Sequence, residues 1–395
     1  MIMEKQPERP SWPRDIRRLL WMQGVMNASH FMTIPLLALY MSTHLHFGAA
    51  ALASVMSANL LCAQALPLAA GAIADRFGSH RVIPLGLLLR GLGFLGFSCF
   101  DGVSAWIGFA VLAGSGVAFY EGGVYGLFGR QPKDCHSALF ASNNQMLNAG
   151  AAVGPIIGGL AGQADIRMAF GVSAVLFIGL SAVAYRSKFG SSVRFKSQPV
   201  MSSLKLAATH AGLWRLIVVS LPWFFLFPQL YVTFPMYAGQ LAGPHAASSI
   251  YVVNGVVGLA FLILAKRWMT KVNPASLATW AYLGAGVTFA SLAVLRGIEW
   301  FLLFIVAYTV VETILLPTLE GMTASLAADG SQGTFFGLMS AAGALSGTAG
   351  YYAGSWLIVN RTPVETWSTL GSVGILGFVA SLLLLRRPDP RMAAG

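Results

Sequence analysis

The sequence predicts an all-α polytopic membrane protein: twelve transmembrane helices in two pseudo-symmetric six-helix bundles. Three observations carry that prediction. Apolar residues make up 56% of the 395-residue chain and charged residues only 10%, against about a quarter charged in typical soluble domains. The apolar residues come in runs of about 20, the length a helix needs to cross a bilayer. Lys and Arg fall overwhelmingly on one side of those runs.

The first apolar run, about Leu19 to Tyr40, follows Lys5, Arg9, Arg14, Arg17 and Arg18. It is too long for a signal-peptide core and no small-residue cleavage site stands behind it, so it reads as a retained first span. Spans are expected near 18–41, 50–72, 82–100, 104–128, 137–162 and 167–185, then near 213–238, 246–265, 275–295, 299–322, 332–358 and 366–385. The chain thereby divides into a cytoplasmic N-terminal segment 1–17, a bundle 18–186, a cytoplasmic linker 187–212, a bundle 213–386 and a cytoplasmic tail 387–395.

Charge sets the orientation. Of the 25 Lys and Arg residues, 21 lie in the terminal segments, the linker and the loops on their side. Only Arg167, Arg296 and Arg361 lie on the other side, and Arg90 lies within a span. The positive-inside bias places both termini in the cytoplasm, as an even number of spans requires. A shift of 196 residues superposes Phe140 on Phe336, Gly154 on Gly350 and Gly158 on Gly354, the residue of a duplication typical of secondary transporters.

The same observations exclude other classes. A net charge of +11 would point to nucleic acid in a soluble protein, but here the cations follow the membrane topology. Cys62, Cys99 and Cys135 have no CxxC spacing, so neither a disulfide framework nor a metal site is indicated. No H-E-x-x-H, G-x-S-x-G or Walker loop occurs, so neither hydrolytic chemistry nor ATP-driven pumping is indicated. The expectation is a non-enzyme without cofactor.

Two segments are specific. The loop Gly71-Ala-Ile-Ala-Asp75-Arg76-Phe-Gly78-Ser-His-Arg81 joins the second and third spans through a short turn. Gly71 permits close helix approach, Gly78 permits the tight turn, and an acid stands beside two arginines at the membrane surface. The loop resembles the G-x-x-x-D-R-x-G signature of the major facilitator superfamily. That resemblance extends to span count, orientation and central linker, and implies the major facilitator fold. It implies that Asp75, Arg76 and Arg81 form a charge network favouring the state closed to the cytoplasm. Ser79 and His80 stand where the family often has further basic residues.

The second segment is Gly150-Ala-Ala-Val-Gly154-Pro155-Ile-Ile-Gly158-Gly159. Glycines four apart drift only about 40° per step, making one stripe on which membrane helices pack backbone to backbone. Pro155 removes a donor and bends the helix. The segment resembles the span-five motif of the twelve-span drug/proton antiporter branch, which implies export. That branch often carries an arginine on span four, whereas Phe109–Gly116 here has no basic residue. Arg90, on span three, is the cation at membrane depth that stands in for it.

Ionisable residues at membrane depth usually face a cavity or a partner. Arg90 and Glu121 lie at comparable depths on adjacent spans, where a pair is expected. On span ten, Glu312 lies mid-way and Glu320 near the cytoplasmic end as an interfacial acid. Glu121, Glu312, Arg90 and His30 are the proton-coupling candidates. Gln23 and Asn27, with His30, form a polar stripe on span one. Asn144 and Asn148 form another on span five, and Tyr251 and Asn254 share a face on span eight. Span seven is aromatic, with Trp223 and Tyr231, and is interrupted by Pro222, Pro228 and Pro235. These polar and aromatic residues are the expected walls of a substrate cavity.

The sequence thus predicts a monomeric multi-pass protein of a plasma membrane, the bacterial inner membrane. Its partners are lipid, protons and a small-molecule substrate, without nucleic acid. The expected activity is proton-coupled efflux of small, partly apolar drugs or metabolites by alternating access. The alternative is a dedicated exporter or importer of one polar metabolite such as a siderophore or sugar.

Overall fold

The protein was analysed as a computed structural model that describes residues 13–67, 70, 73, 77–128, 133–187, 189, 206–243, 245–269, 271–326 and 332–385. Its first six spans are α1 (Arg14–Thr43), α2 (Ala49–Ala65), α3 (Ser79–Cys99), α4 (Val103–Phe128), α5 (Lys133–Ala164) and α6 (Ile166–Ser187). The seventh span is built from α7 (Ala211–Leu226), a 3-10 turn (Phe227–Leu230) and α8 (Thr233–Ala242). The last five are α9 (His245–Met269), α10 (Pro274–Ser291), α11 (Ile298–Leu326), α12 (Gln332–Asn360) and α13 (Pro363–Leu384).

Among the described residues, six stretches are by themselves long and apolar enough to span a bilayer: α3, α6, α11, α13, Val103–Tyr125 of α4, and the compound span Ala211–Ala242. The polar stripe of α1 dilutes its apolar character because one face serves the interior of the protein. Large apolar side chains stand on the outward faces. Val175, Ile263, Leu264 and Leu345 are each about 70% exposed or more, a surface tolerable only against lipid.

Each half closes on its own contacts. In the first, α1 packs on α5, α3 on α4 and α6, and α2 on α4. In the second, α7 packs on α12 and α13, α10 on α11 and α13, and α9 on α11. The halves meet through α2 against α12 and α5 against α9, with lesser contacts from α1 to α8 and α9.

The glycine stripe on α5 lies against α1 as a small-residue stripe should. A methyl group placed on Gly154 would stand 2.5 Å from the Ala28 carbonyl oxygen and 2.9 Å from the Met32 nitrogen. One placed on Gly158 would run into the Met32 carbonyl. In the second half, Gly350 faces the Phe225 backbone and Gly354 faces Gln229. The 196-residue shift between the glycines therefore has a structural counterpart in their partners, Ala28 with Phe225 and Met32 with Gln229. Pro155 sits within α5 without interrupting it. A second stripe, Gly86, Gly93 and Gly96 on α3, receives α4.

The seventh span breaks where its prolines predict. Pro228 has no N–H to offer the Phe224 carbonyl, and Pro235 has none for Tyr231. Side chains brace the break, as a non-helical stretch within a membrane requires. Gln229 Nε2 donates to the Phe225 carbonyl at 3.0 Å and to the Gly350 carbonyl of α12 at 2.9 Å. Thr233 Oγ1 donates to Gln229 Oε1.

Candidate functional site

Twelve spans connected in sequence put the start of α1 and the end of α13 on one face, the terminal face. Toward the opposite face the halves touch. Ser54 of α2 and Tyr352 of α12 share a hydrogen bond of 2.8 Å, and Gly239 of α8 approaches Leu39 of α1. Ser54–Tyr352 is the side-chain hydrogen bond that joins the two halves among the described residues.

Toward the terminal face the halves enclose a cavity of about 180 Å³. Leu60 and Gln64 of α2 line it from the first half. The second half supplies Trp223, Phe224, Phe227 and Pro228 from the seventh span, Glu320 and Thr323 from α11, and Phe336, Met339 and Ser340 from α12. Trp223 is buried and stacks on Tyr308, ring centroids 5.9 Å apart. Of the expected cavity residues, Trp223 is the one on this wall.

Beside the cavity, α9 and α11 carry a polar cluster. Asn254 Nδ2 donates to Glu312 Oε2 at 2.6 Å and to Thr309 Oγ1 at 3.0 Å. Tyr251 donates its hydroxyl to the Leu230 carbonyl at 2.8 Å. Tyr231 packs near Phe227 and Tyr251, with centroids 5.5 and 6.4 Å away. Tyr251 and Asn254 share a face, as their spacing requires, but their polar atoms serve the protein's own backbone and Glu312.

In the first half, Gln23 and Asn27 are buried, and the Asn27 amide donates to the Gln23 carbonyl at 2.9 Å. The Tyr120 hydroxyl of α4 donates to Gln23 Oε1. The expected Arg90–Glu121 pair does not form an ion pair among the described residues. Arg90, 3% exposed, instead directs Nη1 to Met26 Sδ at 2.8 Å and lies 4.7 Å over the Phe177 ring. Met26, one turn from His30 on α1, and Phe177 on α6 are neighbours that adjacency of spans three and four does not reveal. His30 Nδ1 and Arg90 Nε are buried without a hydrogen-bond partner among the described residues.

On the opposite face two local ion pairs form among the described residues. Arg167, at the start of α6, pairs with Asp101 and donates to Tyr40. Arg361 lies 3.5 Å from Glu365. Thr362 and Glu365 form a capping box on α13.

Gly71, Asp75 and Arg76 lie outside the described residues. Gly78 caps α3 with a φ of +86°, a conformation that glycine alone adopts cheaply, and Arg81 follows in the first turn of α3. Asn144 and Asn148 fall on α5, but their side chains lie outside the described residues. Gln64, Glu320, Phe336 and Met339 escape sequence reasoning as a wall, since they meet only when α2, α11 and α12 converge.

This architecture is that of a membrane carrier, and sequence comparison agrees. The chain belongs to the Major Facilitator Superfamily, whose family description matches residues 19–351; it is a membrane transporter of small molecules and not an enzyme. It is similar to the Multidrug resistance protein MdtH of Shigella dysenteriae, with 26% identity over 381 residues and 89% of each chain covered. The MdtH of Cronobacter sakazakii is 26% identical over 377 residues, covering 92% of each chain. Among solved structures, the peptide transporter POT in complex with sulfate has a TM-score of 0.78 at 20% identity, over 96% of this chain and 95% of that one. The POT family transporter PepTSo has a TM-score of 0.80 at 16% identity, over 95% of this chain and 98% of that one. The human organic anion transporter MFSD10 has a TM-score of 0.69 at 15% identity, over 94% of this chain and all of that one. Likenesses at such identities bear on the fold alone.

Proposed function

We propose that this transporter exports small, partly apolar compounds by alternating access, driven by proton influx across a bacterial inner membrane, with both termini cytoplasmic and the monomer as the working unit. The observation that carries the proposal is the aromatic-walled cavity between the halves, closed toward the opposite face by the α2–α12 and α1–α8 contacts. The multidrug-resistance names of the MdtH relatives support the export direction, as does the glycine-proline segment of α5. In this reading Glu312, gripped by Asn254, carries the proton. Glu121, Arg90 and His30 tune that step from the first half, and the loop with Asp75, Arg76 and Arg81 favours closure toward the cytoplasm.

Expression in a bacterium deprived of its main efflux pumps tests the direction. Raised resistance to several unrelated compounds supports export, and unchanged susceptibility overturns it. Purified protein in proteoliposomes under an imposed pH gradient tests the coupling. Gradient-driven flux that is abolished in Glu312→Gln supports the proton role; flux indifferent to the gradient overturns it. The alternative, a carrier dedicated to one polar metabolite, is favoured by the buried Gln23–Asn27–Tyr120 group. A screen of ligands by thermal stabilisation separates the two, since one strongly stabilising metabolite and no drugs would select the alternative.

A further inference from the structure

Over two turns, α9 meets three separate parts of the molecule. On the side of α11, Asn254 donates to Glu312 at 2.6 Å and to Thr309 at 3.0 Å. A methyl group placed on Gly258, one turn on, would stand 3.4 Å from the Thr309 side chain. Tyr251, one turn earlier, holds the Leu230 carbonyl of the seventh span. On the side of the first half, a methyl group placed on Gly255 would stand 3.4 Å from Ala152 Cα and 3.5 Å from the Ala151 carbonyl oxygen. Backbone therefore lies close to backbone where α9 crosses α5, one residue from the grip on Glu312. Ala151 and Ala152 in turn lie between Gly150 and Gly154, which face the α1 backbone at Ala28.

Glu312 is the acid at this junction. No charged side chain of α7, α8, α10 or α12 acts on it among the described residues, and its titratable neighbours are Tyr231 of the seventh span and Tyr308 of its own helix. A hydrogen bond to an ionised carboxylate is roughly twice as strong as one to a neutral group. The force holding Asn254 to α11 therefore changes with the charge of Glu312. Packed helices answer such a change by reseating rather than by bending continuously.

We propose that Asn254 is a positioning residue that ties the seating of the two halves to the charge of Glu312. With Glu312 ionised, Asn254 seats α9 on α11, and α5 meets α9 in the register seen here. With Glu312 neutral the grip slackens, α9 shifts with α5, and the state closed at the opposite face loses support. This rests on the reading of Glu312 as the proton carrier and supplies the link from that acid to the movement of the halves.

The experiment is a double-mutant cycle on the purified full-length protein, read as distances between spin labels on the opposite-face ends of α2 and α12. Spectra are taken at alkaline pH, where carboxyl groups carry their charge. Glu312→Gln shifts the balance of short and long distances by about fivefold or more, the usual scale of coupling between sites. In the Asn254→Ala background the same change shifts nothing further, and Asn254→Gln, which keeps the amide, restores part of the response. A residue that merely props up the fold gives additive shifts instead. Thermal melting of each variant confirms that folded protein is compared. Equal shifts in both backgrounds, or no shift on Glu312→Gln in either, overturn the proposal. Gradient-driven flux lost in Glu312→Gln together with an additive cycle overturns the role of Asn254 and leaves the proton reading standing. A non-additive cycle in a protein whose flux ignores the pH gradient upholds Asn254 and overturns the proton reading.

Discussion

The Tyr251 hydroxyl donates to the Leu230 carbonyl, 2.8 Å away, at the point where the seventh span leaves its helical path. One turn further along α9, Asn254 grips Glu312. One helix therefore holds both the break in the seventh span and the acid proposed to carry the proton.

Removing the Tyr251 hydroxyl takes a donor from the carbonyl of buried Leu230. Tyr251→Phe is expected to lower stability by about 1–2 kcal/mol, the usual cost of a buried acceptor left unpaired. Thermal melting of the purified protein measures it. Tyr352→Phe, which removes an exposed hydrogen bond, serves as the comparison and leaves the melting temperature nearly unchanged.

The same Tyr352→Phe change bears on alternating access. Loss of the Ser54–Tyr352 bond removes at most about 1 kcal/mol from the state closed at the opposite face, about a fivefold change in population. Spin labels on the opposite-face ends of α2 and α12 should report a larger fraction of long distances. An unchanged distribution would show that apolar contact alone holds that face shut.

Gly158→Ala drives a methyl group into the Met32 backbone, and overpacking of this kind costs about 1–3 kcal/mol. The expected outcome is a lower yield of folded protein and a lower melting temperature. Gly171→Ala, on α6 with open space around it, should change neither. The pair separates a packing demand from a general intolerance of alanine.

The capping box at the start of α13 satisfies N–H groups that a helix end otherwise leaves open. Thr362→Ala should lower stability by about 1 kcal/mol, the usual cost of a lost cap, read as a lower melting temperature. Thr362→Ser keeps the hydroxyl and should melt close to the unmodified protein. Equal melting of all three would show that packing alone sets the start of α13.

What the sequence made legible is what has a one-dimensional period. Apolar runs located the spans, glycines four apart located the packing face of α5, and prolines located the break in the seventh span. The residue types on α1 located a buried polar stripe, although its partner Tyr120 came from α4 and left no sign in the spacing. Residues brought together from several helices were not legible. Gln64, Glu320 and Phe336 share no period, and helix position says nothing of a neighbouring void. Arg90 and Glu121 were matched by depth. The structure instead directs Arg90 Nη1 to the sulfur of Met26 and sets its guanidinium over the ring of Phe177, groups that no charge-based reading selects.

The two glycine stripes carry a practical consequence for altering what this carrier moves. At Gly154, Gly158, Gly350 and Gly354 the neighbouring backbone fills the space a side chain would need, so randomising these positions mostly yields chains that do not assemble. The cavity wall imposes no such demand. A library restricted to Gln64, Phe224, Phe227, Phe336 and Met339 samples side chains that border empty volume. Selection for new cargo is best spent there, with the helix seams kept as inherited.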